Sequence, residues 1–207
     1  MLIHLRRSVV LAVVVLALTF VFAYAGTGVS QLFFKHQADG SITRAGSTLI
    51  GQNWSQTKCP GHPLGSCVFQ GRPDDLGPYA SATSNPAEHP GDDPLVANGA
   101  PGESGATNLG PRSAELKKYT TELVAYWQAR GVKPTPDLVT TSGSGYDPDI
   151  TAADATAEIP MVSRATGLAP ATLRTLIARQ TSGAELGFLG TSYINVLQLN
   201  EALVKLR

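Results

Sequence analysis

The chain has 207 residues, a formal net charge of zero and only 15% charged side chains. That length suits one domain with appendages, and the balanced charge removes the case for a nucleic-acid partner. Average proteins carry about 25% charged residues, and part of the deficit has a location near the amino terminus.

Residues 8–34 contain no charged side chain, and residues 9–25 read VVLAVVVLALTFVFAYA, apolar apart from Thr19 and Tyr24. About 20 such residues, rising about 1.5 Å each, cross a hydrocarbon layer of about 30 Å. A transmembrane helix and its flank are therefore expected over residues 8–34, behind a short terminus of residues 1–7. Arg6 and Arg7 before the run, with Ala23, Tyr24 and Ala25 at its end, also fit a secretory signal peptide. A signal core usually spans about 7–15 residues, fewer than here. A buried core helix is the third reading.

The positive-inside count is nearly even. Arg6, Arg7 and the amino terminus precede the span, while Lys35 and Arg44 follow it. Cys59 and Cys67, the two cysteines of the chain, bound the short loop CPGHPLGSC. A lone close pair behind an export signal reads as a disulfide on an oxidising side of the membrane. A metal site would have His62 as its third ligand and no fourth in view. The expectation is a cytoplasmic amino terminus and an extracytoplasmic domain over residues 35–207.

Within that domain, GSTLIGQNW (residues 46–54) is short and strand-like. Residues 71–112 hold seven glycines and seven prolines in 42 positions, too many for regular secondary structure, and form a long loop. From Ser113, the residues Leu116, Tyr119, Leu123, Tyr126 and Trp127 recur at helical spacing, with Ser113 as N-cap and Gly131 as the stop. The stripe reads as core. Residues 137–141, DLVTT, read as a buried strand. Thr151 and Asp154 resemble a capping box opening a short helix that Pro160 ends or kinks. Pro170 suits the first position of a helix running to Gln180. Residues 194–198 read as a strand, with Asn200 capping a last helix. Helices and strands mix without βαβ alternation, so the domain is expected to be α+β.

SGSGYDPDIT (residues 142–151) has the residue types of a catalytic loop. A phosphate loop of the Walker type needs a lysine that is absent near Ser144. A dinucleotide fingerprint needs a third glycine opening a helix. A hydrolase elbow needs one residue between each glycine and the serine. Asp147 and Asp149 fall short of the six to eight or so oxygens that calcium takes. Gly143 and Gly145 instead permit positive φ, Asp147 and Pro148 start a turn, and Thr151 caps the next helix. The segment reads as a connector, and the chain as one that is not an enzyme by its own residues.

Laid end to end, these segments resemble the KdpC family, the C subunits of the Kdp potassium-transporting P-type ATPase. The matching stretches are SQLFF (30–34), GSTLIGQ (46–52), FQGRP (69–73), SGATNLGP (104–111), DLVTTSGSGYDPDIT (137–151), IPMVSRATGL (159–168) and INVLQLN (194–200). The structural motif residues among them are Gly143, Ser144, Gly145, Asp147, Pro148, Asn195 and Asn200. The family usually has histidine where Asp149 stands, arginines where Met161 and Thr166 stand, and Glu-Pro-Arg in place of Thr191, Ser192 and Tyr193. The cysteine loop and the Gly/Pro-rich stretch resemble insertions.

The resemblance implies a hetero-oligomeric membrane complex with A, B and F subunits, in which the A subunit binds potassium and the B subunit hydrolyses ATP. It further implies that the KdpC protein is a catalytic chaperone raising the affinity of the B subunit for ATP, with ATP at most a transient ligand and no tightly bound cofactor. A domain placed outside the membrane conflicts with direct contact to cytoplasmic ATP. The alternative function is a secreted extracellular binding module whose leader is cleaved after Ala25.

Overall fold

The computed structural model describes residues 2–52, 54, 55, 57–73, 106–184 and 186–207. The Gly/Pro-rich loop expected over residues 71–112 therefore lies largely outside the described residues. Two compact units divide the chain, residues 1–42 and residues 43–207.

In the first unit, α1 runs over Leu2–Phe33 as one uninterrupted helix of 32 residues, with no side chain buried. Its length and apolar composition suffice to cross a membrane. Two polar side chains on it are satisfied within the helix. Thr19 Oγ1 donates to the Val15 carbonyl at 2.9 Å, and Thr27 Oγ1 to the Ala23 carbonyl at 3.0 Å. Such back-bonding lets a hydroxyl sit where no water is available to it. The short α2, Lys35–Ala38, follows.

Among the described residues, the second unit is a mixed domain of helices and one very small sheet. Helix α3 spans Ala114–Ala129, and Ser113 caps it by accepting from the Leu116 amide. Tyr119, Leu123 and Trp127 are buried, so the helical stripe is core. Gly131 turns the chain at φ 71°, and a Cβ there would meet the Arg164 guanidinium at 2.7 Å. The expected strand at residues 137–141 is not formed. Asp137–Val139 is a 3₁₀ turn. Thr140 Oγ1 donates to the Pro136 carbonyl at 2.9 Å, and the Trp127 indole donates to the Leu138 carbonyl at 2.8 Å. These local bonds satisfy the backbone without a neighbouring strand, and they override the β-branched composition.

Strand β1, Asp149–Ile150, pairs antiparallel with β2, Ile194–Asn195, in the register Asp149↔Asn195 and Ile150↔Ile194. The strand expected over residues 194–198 is therefore only two residues long. Helix α6 begins at Val196 and runs to Val204, with Asn195 as its N-cap. Asn200 is not a cap; it lies inside α6 and is buried. Residues 46–52 enter no named strand either. They are irregular, with a turn at Thr48 and Leu49, and the Gly51 amide donates to the Tyr146 carbonyl at 2.8 Å.

Helix α4, Ala152–Thr166, opens on the capping box of Thr151 and Asp154. Pro160 does not end it. That residue is exposed, so the ladder bond lost at the proline opens toward solvent. Buried Ile159, Met161 and Val162 bind both halves of α4 to the core. Gly167 closes α4 in the left-handed region, and α5, Pro170–Gln180, starts on its proline. The core joins Phe69, Leu123, Trp127, Leu138, Ile150, Val162, Leu173, Ile194, Leu199 and Leu203.

Helix α1 generates the first prediction. Val14→Arg should raise the cost of insertion by about 2.5–3.5 kcal/mol on the translocon scale. Membrane fractionation checks it, and a variant that stays wholly in membranes would contradict α1 as a spanning segment.

Candidate functional site

The segment SGSGYDPDIT lies where four stretches of chain converge. Gly51 packs against it so closely that a Cβ would stand 2.7 Å from the Asp147 carbonyl oxygen. The Pro148 carbonyl accepts from the Val196 amide at 3.0 Å. Asn195 ties three stretches together. Its Nδ2 donates to the Thr48 carbonyl at 2.9 Å and to Asp149 Oδ1 at 3.0 Å, while its Oδ1 caps α6 through the Gln198 amide.

Inside the loop the hydrogen bonds are those of turns. Asp147 Oδ1 accepts from the Asp149 amide at 3.0 Å, and Ser144 Oγ accepts from the Tyr146 amide at 3.2 Å. Ser144 Oγ also lies 3.3 Å from Ser142 Oγ. Gly145 takes φ 72°, whereas Gly143 is not among the positive-φ residues. Only one of the two glycines uses the freedom expected of both. The void between the loop, Gly51 and Val196 has a volume of about 10 Å³, room for about one water and not for a phosphate. The geometry is that of a connector.

Asp149 is half-buried and held by Asn195. Partial burial raises its pKa; the Asn195 hydrogen bond opposes that shift and the Asp147 charge adds to it. Met161 is buried in the core, and Thr166 Oγ1 is held by the Val162 carbonyl at 2.7 Å. Neither position presents a charge. Tyr193 pairs with Ser182 in an isolated antiparallel bridge.

Three residues that the sequence does not single out organise the other side of the junction. Arg72 donates to the Thr141 carbonyl at 2.9 Å, with Asp137 and Asp147 at 3.8 Å and 3.9 Å. Gln70 donates its amide to Glu158 Oε2 at 2.9 Å. Glu158 is fully buried, and its other oxygen has no hydrogen-bond partner. Burial pushes its pKa well above the usual carboxylate range; the Gln70 amide opposes that, and the Asp154 carboxylate one turn away reinforces it. An acid among the apolar positions of α4 was the one signal in the sequence. Asn200 meets Phe69 twice, accepting from its amide and donating to its carbonyl, both at 2.8 Å. Cys59 and Cys67 are joined in a disulfide just before that stretch.

This geometry generates two more predictions. Folded Glu158 holds its proton at a pH where the unfolded chain has released it, so the native state binds more protons. Stability must then fall as pH rises from the ordinary carboxylate range toward the raised pKa. Glu158→Gln keeps an acceptor for the Gln70 amide and cannot ionise. The melting temperature of the detergent-solubilised variant should vary less between about pH 5 and about pH 9 than that of the native chain; parallel curves would refute the neutral acid. In the connector, Gly145→Val should cost about 1–3 kcal/mol through strain at positive φ. Ser144→Ala should cost at most about 1 kcal/mol. Melting temperatures of the two variants check this, and an order opposite to the one given would contradict the connector.

The whole chain matches known proteins. The family model described as KdpC, K+-transporting ATPase, c chain, covers residues 5–205. A protein of Sorangium cellulosum named potassium-transporting ATPase KdpC subunit is 38% identical, over 98% of both chains. One of the same name from Methylorubrum extorquens is 38% identical, over all of this chain and 98% of its own. A third, KdpC subunit 1 of Nostoc, is 37% identical over 98% of this chain and 94% of its own. The aligned region takes in α1 together with every described element of the domain, and so the chain belongs to the KdpC family, the c chains of K+-transporting ATPases.

Proposed function

We propose that the chain is the non-catalytic accessory subunit of an ATP-driven, high-affinity potassium importer, anchored in the cell membrane by α1. It assembles with the A, B and F subunits, ATP hydrolysis lies in the B subunit, and this chain raises the affinity of that subunit for ATP. The observation that carries the proposal is the match over residues 5–205, which takes the apolar helix and the folded domain as one family unit. The disulfide between Cys59 and Cys67 supports a cytoplasmic amino terminus and an extracytoplasmic domain. With ATP on the cytoplasmic side, the effect on nucleotide affinity passes through contacts between the subunits and not through a nucleotide site on this domain.

A surface for such contacts stands between α5 and β2. The backbone bonds of the bridge between Ser182 and Tyr193, 2.8 Å and 3.1 Å, close the base of a loop. Leu186 and Phe188 are 81% and 74% exposed near its tip, and Leu186 is held at φ 53°. Leaving such side chains in water costs about 1.5–3 kcal/mol each relative to burial, which favours a partner with an apolar pocket.

Phe188→Asp should leave the melting temperature of the solubilised chain unchanged and reduce co-purification of the other subunits from potassium-starved membranes. A complex reconstituted without this chain should show potassium-dependent ATPase activity with a raised KM for ATP. An unchanged KM would refute the chaperone role. The intact mass of the membrane-extracted chain separates the anchored subunit from a secreted module, since leader cleavage removes about 25 residues.

A further inference from the structure

The carboxyl-terminal end of α6 forms one wall of a groove of about 600 Å³. Its lining is mostly apolar and includes Trp54, Val68 and Val204. Two cations, Arg44 and Lys205, and one carboxylate, Glu201, are its charged side chains. The carboxylate is engaged, since Glu201 Oε1 accepts from Thr43 Oγ1 at 3.1 Å. Neither cation belongs to an ion pair among the described residues. The lining thus carries a net positive charge beside an apolar floor, and the volume lies in the range of about 300–1,000 Å³ usual for small-molecule sites.

We propose that this groove binds an anionic phospholipid, with the phosphate between Arg44 and Lys205 and part of an acyl chain along Trp54, Val68 and Val204. Charge complementarity selects an anion, and the apolar lining selects an amphiphile over a free ion. The chain itself supplies the nearness to lipid. Arg44 follows Phe34, the end of the charge-free stretch, by ten residues, and a chain of that length spans at most about 35 Å. The phospholipids around the membrane helix are therefore the anionic amphiphile within reach. Tryptophan beside basic side chains is also the residue combination that membrane interfaces favour. The site is separate from the loop at Leu186 and Phe188 and shares Trp54 with the void beside residues 142–151, and it rests on α1 spanning a membrane, not on the effect on ATP affinity.

The two tryptophans give the readout. Trp54 lines the groove, while Trp127 is fully buried in the core. The full chain is placed in nanodiscs of phosphatidylcholine containing a minor fraction of phosphatidylglycerol brominated on its acyl chains. Emission lost in the native chain and absent from Trp54→Phe reports lipid against Trp54. We expect brominated phosphatidylglycerol to quench Trp54 more strongly than the same fraction of brominated phosphatidylcholine. Arg44→Gln and Lys205→Gln should each weaken that preference about fivefold, whereas Arg174→Gln, an exposed cation on α5, should leave it unchanged. Soluble glycerol phosphate should not relieve the quenching. Equal quenching by the two lipids, no quenching, relief by glycerol phosphate, or an equal loss with Arg174→Gln would each overturn the site.

Discussion

A buried stretch of chain that belongs to no helix or strand must find hydrogen bonds for its backbone elsewhere. Residues 69 and 70 are in that position, and much of the domain is arranged around them. Asn200 of α6 completes both polar groups of Phe69, and Glu158 of α4 takes the amide of Gln70. Arg72 then reaches the carbonyl of Thr141. Two long-range side chains, Asn200 and Glu158, thus stand in for a sheet ladder along this stretch, and each comes from a different helix. An unsatisfied buried backbone group costs about 1–3 kcal/mol, comparable to a sizeable fraction of the stability of a small domain.

The same constraint accounts for the raised pKa of Glu158. A carboxylate so deeply buried with one hydrogen bond is expensive, which favours the protonated form. Its Oε2 is the acceptor that the buried Gln70 amide finds at that point. On the other side of the stretch, the disulfide and the Gln70 side chain, which donates to the Gly65 carbonyl at 2.7 Å, fix the approach of the chain. The turn at residues 59–67 and helices α4 and α6 are thereby joined through a few residues.

The junction around residues 142–151 extends this arrangement. Four of the seven stretches that carry the family resemblance meet there, those containing Gly51, Arg72, Pro148 and Asn195. Their hydrogen bonds are made to one another, and glycine at position 51 permits backbone contact with Asp147. The polar groups of this junction are thus turned to mutual support. The apolar side chains left outward at Leu186 and Phe188, and those lining the groove at Trp54 and Val204, are where the domain can still meet other molecules.

Features set by near neighbours in the chain were legible in the sequence. The membrane-length helix follows from an uncharged apolar run, the start of α3 from Ser113, the opening of α4 from Thr151 and Asp154, and the start of α5 from Pro170. Each rests on contacts within about four residues, which sequence spacing records directly. Turn chemistry in SGSGYDPDIT was legible for the same reason, although the sequence did not distinguish Gly145, which takes positive φ, from Gly143. Features that depend on remote partners were not. Residues 137–139 turn into a 3₁₀ segment because the Trp127 indole claims the Leu138 carbonyl. Pro160 stays within α4 because its flanking residues are packed into the core. Asn200, read as a cap, is consumed by Phe69, 131 residues away, and the cap falls to Asn195. The sequence by itself determined where α3, α4 and α5 could begin and that α1 could cross a membrane. Only the tertiary structure decided which polar side chains became caps and which became substitutes for a missing strand, because that choice depends on which backbone groups the packed core leaves without partners.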